Sequence, residues 1–153
     1  TEYNYGGGDD ISGAVAQADV LGAYGRHGVH AAALWPLWQQ PTEFILAAFE
    51  LFRRPADLAP FANTSLPADS SDLAKVGVWA SVDEDSGRVS VVVVHRTRDE
   101  LRLRLDVGAE GPAQRVVLAG AQPRPVAASP VPNTQGHYDF VSQGPSVTYL
   151  AFL

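Results

Sequence analysis

One carboxylate near the start of the sequence is the residue best placed to do chemistry. Glu2 adjoins two aromatic residues, Tyr3 and Tyr5, and the segment then runs into the glycines at 6–8. The pattern predicts a short strand that ends in a loop, with a helix beginning near Ile11. Where strands and helices alternate in an enzyme, functional side chains lie at the carboxyl ends of the strands. Glu2 is therefore a candidate catalytic residue, and the alternative is a solvated charge.

The elements that would position Glu2 follow in alternating order. Residues 11–26 have a helical apolar pattern, and Asp9 or Asp10 can cap the first turn. Residues 29–34 predict a short buried strand, and a second helix is expected over 41–54, with Pro41 at its first position. A strand–helix–strand–helix order is typical of a parallel sheet.

Both predicted helices carry packing faces. The small residues Gly13 and Gly22 favour close packing of the first helix onto a sheet. In the second helix, apolar residues recur at helical spacing and form one face assigned to the core: Ile45, Leu46, Phe49 and Phe52.

Composition limits the classes of function. The chain has 153 residues, 46% of them hydrophobic, which supports a packed core. The formal charge of −6 argues against a nucleic-acid partner, which calls for a basic face. No apolar run approaches the roughly 20 residues of a membrane span, so no membrane partner is expected. The sequence has no cysteine for disulfide or thiolate chemistry. It also has no methionine and begins inside a motif, so we expect a piece of a longer protein.

The periodicity changes to two near residue 73, which indicates strands. We expect strands at 76–82, 89–95, 101–107, 115–121 and 147–153, with an acidic turn at 83–87 and a loop or edge at 122–132. Five or six such strands predict an antiparallel β-sandwich. Five scattered aromatic residues are assigned to its core: Trp79, Tyr138, Phe140, Tyr149 and Phe152.

The predicted fold class is thus α/β plus all-β. Residues 1–58 form a βαβα piece, residues 59–72 a connector, and residues 73–153 the sandwich.

No metal or other cofactor is predicted. The acidic residues 83–85 could suggest calcium, but their spacing is not that of an EF-hand loop, and we favour a solvated turn. His95 and His137 are isolated from other ligands at zinc spacing. The sequence also lacks the Gly-x-Ser-x-Gly elbow of many serine hydrolases.

Several motifs resemble the C-terminal half of the family-44 glycoside hydrolases, which are β-1,4-glucanases. The resemblance is specific in the first forty residues, continues weakly to about residue 65 and is diffuse after about residue 70. It is carried by Thr1-Glu2-Tyr3-Asn4-Tyr5-Gly6, Ile11-Ser12-Gly13, the segment 16–22, the segment 33–37 and the segment 61–65.

The resemblance implies specific roles. Glu2 matches the catalytic nucleophile on the seventh strand of a (β/α)8 barrel, and Trp35 matches a platform beneath the sugar that is cleaved. Trp38 could extend the platform, and Tyr3 and Tyr5 offer further flat faces to a sugar. For Trp35, the alternative is a side chain that packs the mouth of the barrel.

The resemblance also implies a retaining endo-β-1,4-glucanase that acts outside the cell on cellulose-like or xyloglucan-like chains. The acid/base would lie on an earlier strand that this chain does not contain. The only nearby substitutes are Asp9, Asp10 and Asp19, and Asp19 lies on the helix, remote from the strand end. We therefore expect the 153 residues to need the missing N-terminal barrel segment and to be inactive alone. The alternative function is a non-catalytic carbohydrate-binding or structural β-sandwich module.

Overall fold

The computed structural model describes residues 2–36 and 39–152. The first part of the chain alternates strands and helices, as predicted. Its elements are β1 (Glu2–Tyr3), α1 (Ile11–Arg26), β2 (Ala33–Leu34) and α2 (Glu43–Arg53). β1 and β2 pair in parallel, with Glu2 opposite Ala33 and Tyr3 opposite Leu34.

Helix α1 has the bounds that the sequence predicts. Asp10 is its N-cap, and the Asp10 carboxylate accepts a 2.7 Å bond from the backbone N–H of Ser12. At the other end His27 is the C-cap, and Gly28 follows with a φ of 63°. Glycine adopts this left-handed conformation without the steric cost that other residues meet.

The predicted strand at 29–34 is wrong for its first four residues. Only Ala33 and Leu34 form a strand, and they pair with Glu2 and Tyr3. Residues 29–31 are exposed and residue 32 is half-buried, so the stretch is not the buried strand that was predicted.

The second helix also differs from its prediction. It begins at Glu43 with Thr42 as N-cap, so Pro41 lies outside the helix. Leu46 is 52% exposed, which contradicts its assignment to the core, whereas Phe49 and Phe52 are half-buried. The packing face is instead made of Phe44, Ile45, Ala47, Ala48 and Leu51. The small alanines let α2 approach its neighbours closely. The spacing of the large apolar residues alone does not predict a packing face that contains alanines.

The second part of the chain consists of antiparallel strands. They are β3 (Thr64–Leu66), β4 (Val76–Val82), β5 (Val89–His95), β6 (Glu100–Asp106), β7 (Ala113–Ala119), β8 (Val126–Val131), β9 (Asn133–Thr134), β10 (His137–Gln143) and β11 (Ser146–Phe152). A six-stranded sheet has the order β3-β4-β5-β11-β7-β8, and a three-stranded sheet has the order β6-β10-β9.

Some of these strands were not expected. The predicted connector at 59–72 contains β3, which pairs with β4. β8 lies at an edge of its sheet, within the stretch predicted as loop or edge. β10 was missed, although its residues alternate between buried and exposed, because one of its inner positions is the polar Ser142.

The six-stranded sheet is buried on both faces. One core cluster lies between this sheet and the two helices and includes Ala14, Leu51, Val92 and Tyr149. A second cluster lies between the two sheets and includes Val93, Tyr138, Leu150 and Phe152. β5 and β11 are therefore almost continuously buried, whereas β6, with one solvated face, alternates strictly. Of the five predicted core aromatics, four are buried and Trp79 is half-buried.

A polar contact ties helix α1 to the six-stranded sheet. The Asp19 carboxylate accepts two bonds from the Arg96 guanidinium, at 2.8 and 2.9 Å, and one of 3.1 Å from the indole N–H of Trp79. Gly22 makes room for Trp79, because a Cβ at Gly22 would lie 2.1 Å from the indole ring. The prediction that a small residue here permits close packing is confirmed.

No helix among residues 2–36 and 39–152 is long and apolar enough to cross a membrane.

Gly22→Ala tests the close contact between α1 and the sheet. We expect it to lower the free energy of unfolding by about 2 kcal/mol, the usual cost of overpacking. The matched control is Gly25→Ala in the same helix, where an added Cβ meets nothing within 4 Å. The control should raise the free energy of unfolding by up to about 1 kcal/mol through helix propensity. Urea denaturation measures both, and a stabilising Gly22→Ala would contradict the contact.

His95 predicts a dependence of stability on pH. The imidazole is fully buried, Nδ1 lies 3.0 Å from the hydroxyl of Ser142, and Nε2 lies 3.0 Å from that of Thr97. Burial lowers the pKa of His95, and the carboxylate of Asp99 opposes this shift more weakly. The unfolded chain therefore binds the proton more readily, so stability should be complete above about pH 6.5 and fall as the pH is lowered.

The measurement is urea denaturation between pH 5 and 7.5. His95→Gln should flatten the profile in this range, whereas His30→Gln, at an exposed position, should leave it unchanged. A profile equally steep in His95→Gln would assign the effect to other groups.

Candidate active site

The two faces of the first strand have different surroundings. Glu2 and Asn4 are exposed, whereas Tyr3 and Tyr5 are half-buried. Successive side chains of an extended strand point to opposite sides. Glu2 and Asn4 therefore share one face, which we call the open face, and the tyrosines point the other way.

The tyrosines point toward helix α1, where one amide binds both of them. The Gln17 Nε2 group donates a 2.9 Å bond to the Tyr3 hydroxyl, and the Tyr5 hydroxyl donates to Gln17 Oε1. Gln17 is fully buried. Burial raises the pKa of Tyr5 well above its ordinary value, so this phenol keeps its proton and donates.

The tyrosine rings also pack against each other and against the helix. The centroids of Tyr3 and Tyr5 are 6.2 Å apart with an interplanar angle of 23°, and Tyr24 meets Tyr3 edge-on at 5.6 Å. This arrangement turns both rings away from the face of Glu2. The predicted role of Tyr3 and Tyr5 as flat faces for a ligand stays a prediction, and the contacts that the structure shows make them supports of the strand.

Trp35 lies on the open face with Glu2. Its backbone N–H donates a 2.9 Å bond to the carbonyl of Tyr3, so the parallel ladder continues beyond β2. Glu2 is paired with Ala33, and Trp35 is two residues further along the strand, so alternation brings its side chain to the same side. The indole is 58% exposed. The structure thus brings Trp35 beside the strand of Glu2, as predicted, while Trp38 lies outside the described residues.

The loops at the carboxyl ends of β1 and β2 are packed together. The backbone N–H of Phe44 donates a 3.0 Å bond to the carbonyl of Gly8. A Cβ at Gly8 would lie 2.0 Å from the carbonyl oxygen of Pro41, so only glycine fits this approach. This contact fixes the start of α2 against the loop that follows Glu2, and the rim of the open face is thereby held in one arrangement.

Glu2 is the carboxylate of the open face, and the acidic residues that follow it in the sequence are Asp9, Asp10 and Asp19. Asp9 is exposed in the loop after β1. Asp10 is engaged as the cap of α1, and bonds from the Ser12 hydroxyl and backbone N–H lower its pKa. Asp19 is held by Arg96 and Trp79 on the opposite side of α1. Neither is therefore a proton donor for chemistry at Glu2. A group of three or more His, Cys, Asp or Glu side chains that could hold a metal is absent from residues 2–36 and 39–152.

Sequence reasoning missed two residues of this site. Asn4 lies on the same side of the strand as Glu2 because side chains alternate. The sequence shows this alternation, but it was applied only to Tyr3 and Tyr5. Gln17 is a polar residue on the buried side of a helix that is otherwise lined by alanine and glycine, and this position could have marked it. The open face of Glu2, Asn4 and Trp35 is a site where a carboxylate lies beside an exposed aromatic plane.

No protein-family model matches the chain. Endoglucanase A of Paenibacillus lautus is 35% identical over 102 residues, which are 65% of this chain and 14% of that protein. The chain therefore spans a small part of the length of this curated relative.

Solved structures cover the whole of this chain. A family-44 endoglucanase of Clostridium acetobutylium ATCC 824 matches it with a TM-score of 0.93 at 23% identity, over 100% of this chain and 31% of that one. A family-44 xyloglucanase of Paenibacillus polymyxa has a TM-score of 0.91 at 25% identity, over 99% and 31%. The resemblance predicted from the motifs is confirmed, and the chain is homologous to a part of the family-44 glycoside hydrolases.

Proposed function

We propose that this chain is the part of a retaining endo-β-1,4-glucanase that supplies the catalytic nucleophile, Glu2. The observation that carries the proposal is the open face, where Glu2 lies on one of two paired parallel strands and the exposed Trp35 follows the other. Functional groups of β/α barrels lie at this end of the strands. The homology to glycoside hydrolases supports the same assignment.

In a retaining mechanism, the ionised Glu2 attacks the anomeric carbon and forms a glycosyl ester as the bond to the leaving oxygen breaks. A second carboxyl group protonates that oxygen and then activates the water that hydrolyses the ester. The two groups lie roughly 5–5.5 Å apart in such enzymes. Asp10 and Asp19 have other partners. We propose that the acid/base comes from a part of the barrel outside this chain. We therefore propose that the chain alone is inactive.

Residues 1–58 are proposed as the last βαβα piece of a (β/α)8 barrel, residues 59–72 as a connector, and residues 73–153 as a β-sandwich. The parallel pair β1–β2, followed by α2, fits the end of such a barrel. The solved family-44 enzymes are about three times as long as the matched part, which leaves room for the other strands.

The proposed substrate is a β-1,4-linked glucan of the cellulose or xyloglucan type. The printed functions of the relatives, an endoglucanase and a xyloglucanase, support this class. An aromatic plane beside the nucleophile suits the apolar face of a pyranose ring. A polymer of this size meets the enzyme outside the cell, so we propose an extracellular protein.

A purely carbohydrate-binding module is the weaker proposal. Such a module would bind polysaccharide through a row of surface aromatics on the sandwich. Here Tyr138, Tyr149 and Phe152 are buried between layers, and Phe140 is 8% exposed. Trp79 packs on helix α1. The exposed tryptophan of the described part lies beside Glu2, where catalysis would use it.

The role of Glu2 predicts a covalent intermediate in the full-length protein. An activated 2-fluoro β-cellobioside should form an ester on Glu2, because the fluorine slows both formation and hydrolysis of the ester and the activated leaving group restores formation. Mass spectrometry of a proteolytic digest locates the label. Glu2→Gln should lose the label and lower kcat by more than about 10³-fold, since an amide cannot replace the carboxylate as nucleophile. A label on another carboxylate would remove Glu2 from this role.

The isolated chain provides the matching control. It should hydrolyse no β-glucan at a measurable rate, because it lacks a partner acid. Turnover by the isolated chain would show that the acid lies within it.

Trp35→Ala separates a substrate platform from a packing residue. In the full-length protein we expect kcat/KM for a glucan oligosaccharide to fall by about 10- to 100-fold, because the indole no longer stacks on the sugar ring at the cleavage site. Stability should change little if the exposure of Trp35, 58% in this chain, persists there. The matched variant is Phe140→Ala, in the core cluster between the two sheets, which should lower the free energy of unfolding by about 3 kcal/mol and spare kcat. A lower melting temperature with unchanged kcat/KM for Trp35→Ala would identify Trp35 as a packing residue.

A further inference from the structure

We propose that Gln17 is a positioning residue for Glu2: its buried amide holds Tyr3 and Tyr5, and this clamp aims the open face of the strand at the reacting bond. The inference rests on the proposed function of Glu2. It concerns a residue that touches no substrate and acts through the strand that carries the nucleophile.

The Gln17 amide uses both its donor and its acceptor, and each has a defined partner. The Gln17 amide presents a donor to the Tyr3 hydroxyl, at 2.9 Å, and an acceptor to the Tyr5 hydroxyl. An amide that makes both bonds has one orientation, since exchanging its oxygen and nitrogen would face each phenol with the wrong group. The two phenols are two residues apart on the same side of the strand. They therefore fix its rotation about its own axis.

The clamp holds the strand in addition to its backbone pairing. In the described residues, backbone bonds join β1 to β2, and the two phenols join the same strand to α1. Rotation would move Glu2 and Asn4, which lie on the side opposite to the tyrosines. Attack on carbon requires a near in-line approach at about 3–3.5 Å, and a displacement of 1 Å can cost on the order of 100-fold in rate.

Helix α1 is itself held in place from the other side. Asp19 lies two residues after Gln17 and binds Arg96 and Trp79 of the sheet region. Two residues along a helix are separated by about 200° of rotation, so these side chains leave opposite sides of the helix. The helix thus transmits the position of the six-stranded sheet to the strand of Glu2.

Burial makes the clamp costly to lose. Gln17 is fully buried beside Ala14 and Ala18. Removal of the amide leaves two phenol groups to find other partners, because a buried polar group without a partner is destabilising. Water in place of the amide does not reproduce two bonds of fixed direction, so the tyrosines gain freedom to move, and Glu2 moves with them.

The test uses the full-length enzyme and measures the rate of ester formation at Glu2 with the 2-fluoro probe. Gln17→Met keeps the length of the side chain and removes both bonds. We expect it to lower the rate constant for labelling by 10- to 100-fold and to change the dissociation constant of the probe by less than threefold. Tyr5→Phe, which keeps the ring, should lower the rate constant by 3- to 10-fold. The double variant should be no slower than Gln17→Met, because the two changes break the same clamp.

Ala18→Gly is the matched control. Ala18 is fully buried next to Gln17 but makes no contact with the tyrosine hydroxyls by side-chain hydrogen bonding, so this variant should destabilise α1 and leave the labelling rate unchanged. Circular dichroism confirms that each variant is folded at the assay temperature. Unchanged labelling of Glu2 in folded Gln17→Met, or equal slowing in Ala18→Gly, would overturn the positioning role while leaving the nucleophile intact. A label on a different carboxylate in the unmodified enzyme would overturn both proposals.

Discussion

The contact of Asp19 with Arg96 and Trp79 is the interaction on which the arrangement of this chain depends. It joins a helix of the first part to β4 and to the residue after β5, across 77 positions of sequence in the case of Arg96. A half-buried carboxylate with two guanidinium bonds and one indole bond has its acceptor sites well occupied, and charge-assisted bonds of this kind are short and directional. Because Gly22 and Gly77 leave no Cβ in the way, the helix lies directly on the sheet. The layer order of helices, long sheet and short sheet follows from that close approach.

A sheet covered on both faces explains much of the sequence pattern. β5 and β11 pack against helices on one side and against the short sheet on the other, so nearly every residue is buried. The polar residues on these strands are accommodated in pairs: Ser90 bonds with Tyr149, and His95 bonds with Ser142. The outer strand β6 has one solvated face, where Arg104 binds Asp139 of β10 through two bonds of 2.8 and 3.0 Å. Strands covered on both faces therefore bury nearly every residue, whereas a strand covered on one face at least partly buries every second residue.

The sequence predicted those features that depend on neighbours along the chain. The bounds of α1, the cap at Asp10 and the strands β4 and β5 follow from local pattern and capping chemistry. Exposure of Leu46 and the short length of β2 did not, because they depend on which distant element covers a face or offers a strand edge. At the site, the motif predicted that Glu2 and Trp35 lie at the same end of two neighbouring strands. The orientation of Tyr3 and Tyr5 was missed because the partner that turns them, Gln17, comes from a helix, and a sequence does not show which polar side chain a helix buries.

The opposite directions of Gln17 and Asp19 on α1 limit how this segment can vary during evolution. Each residue of an α-helix turns the chain by about 100°, so a single insertion or deletion between these two positions would rotate one contact away from its partner. Substitutions on the exposed side of the helix carry no such penalty. Homologues that keep this architecture should therefore differ in the composition of the helix while conserving the number of residues between its two polar contacts. The spacing between Gln17 and Asp19 should therefore be conserved even where the residues around them change.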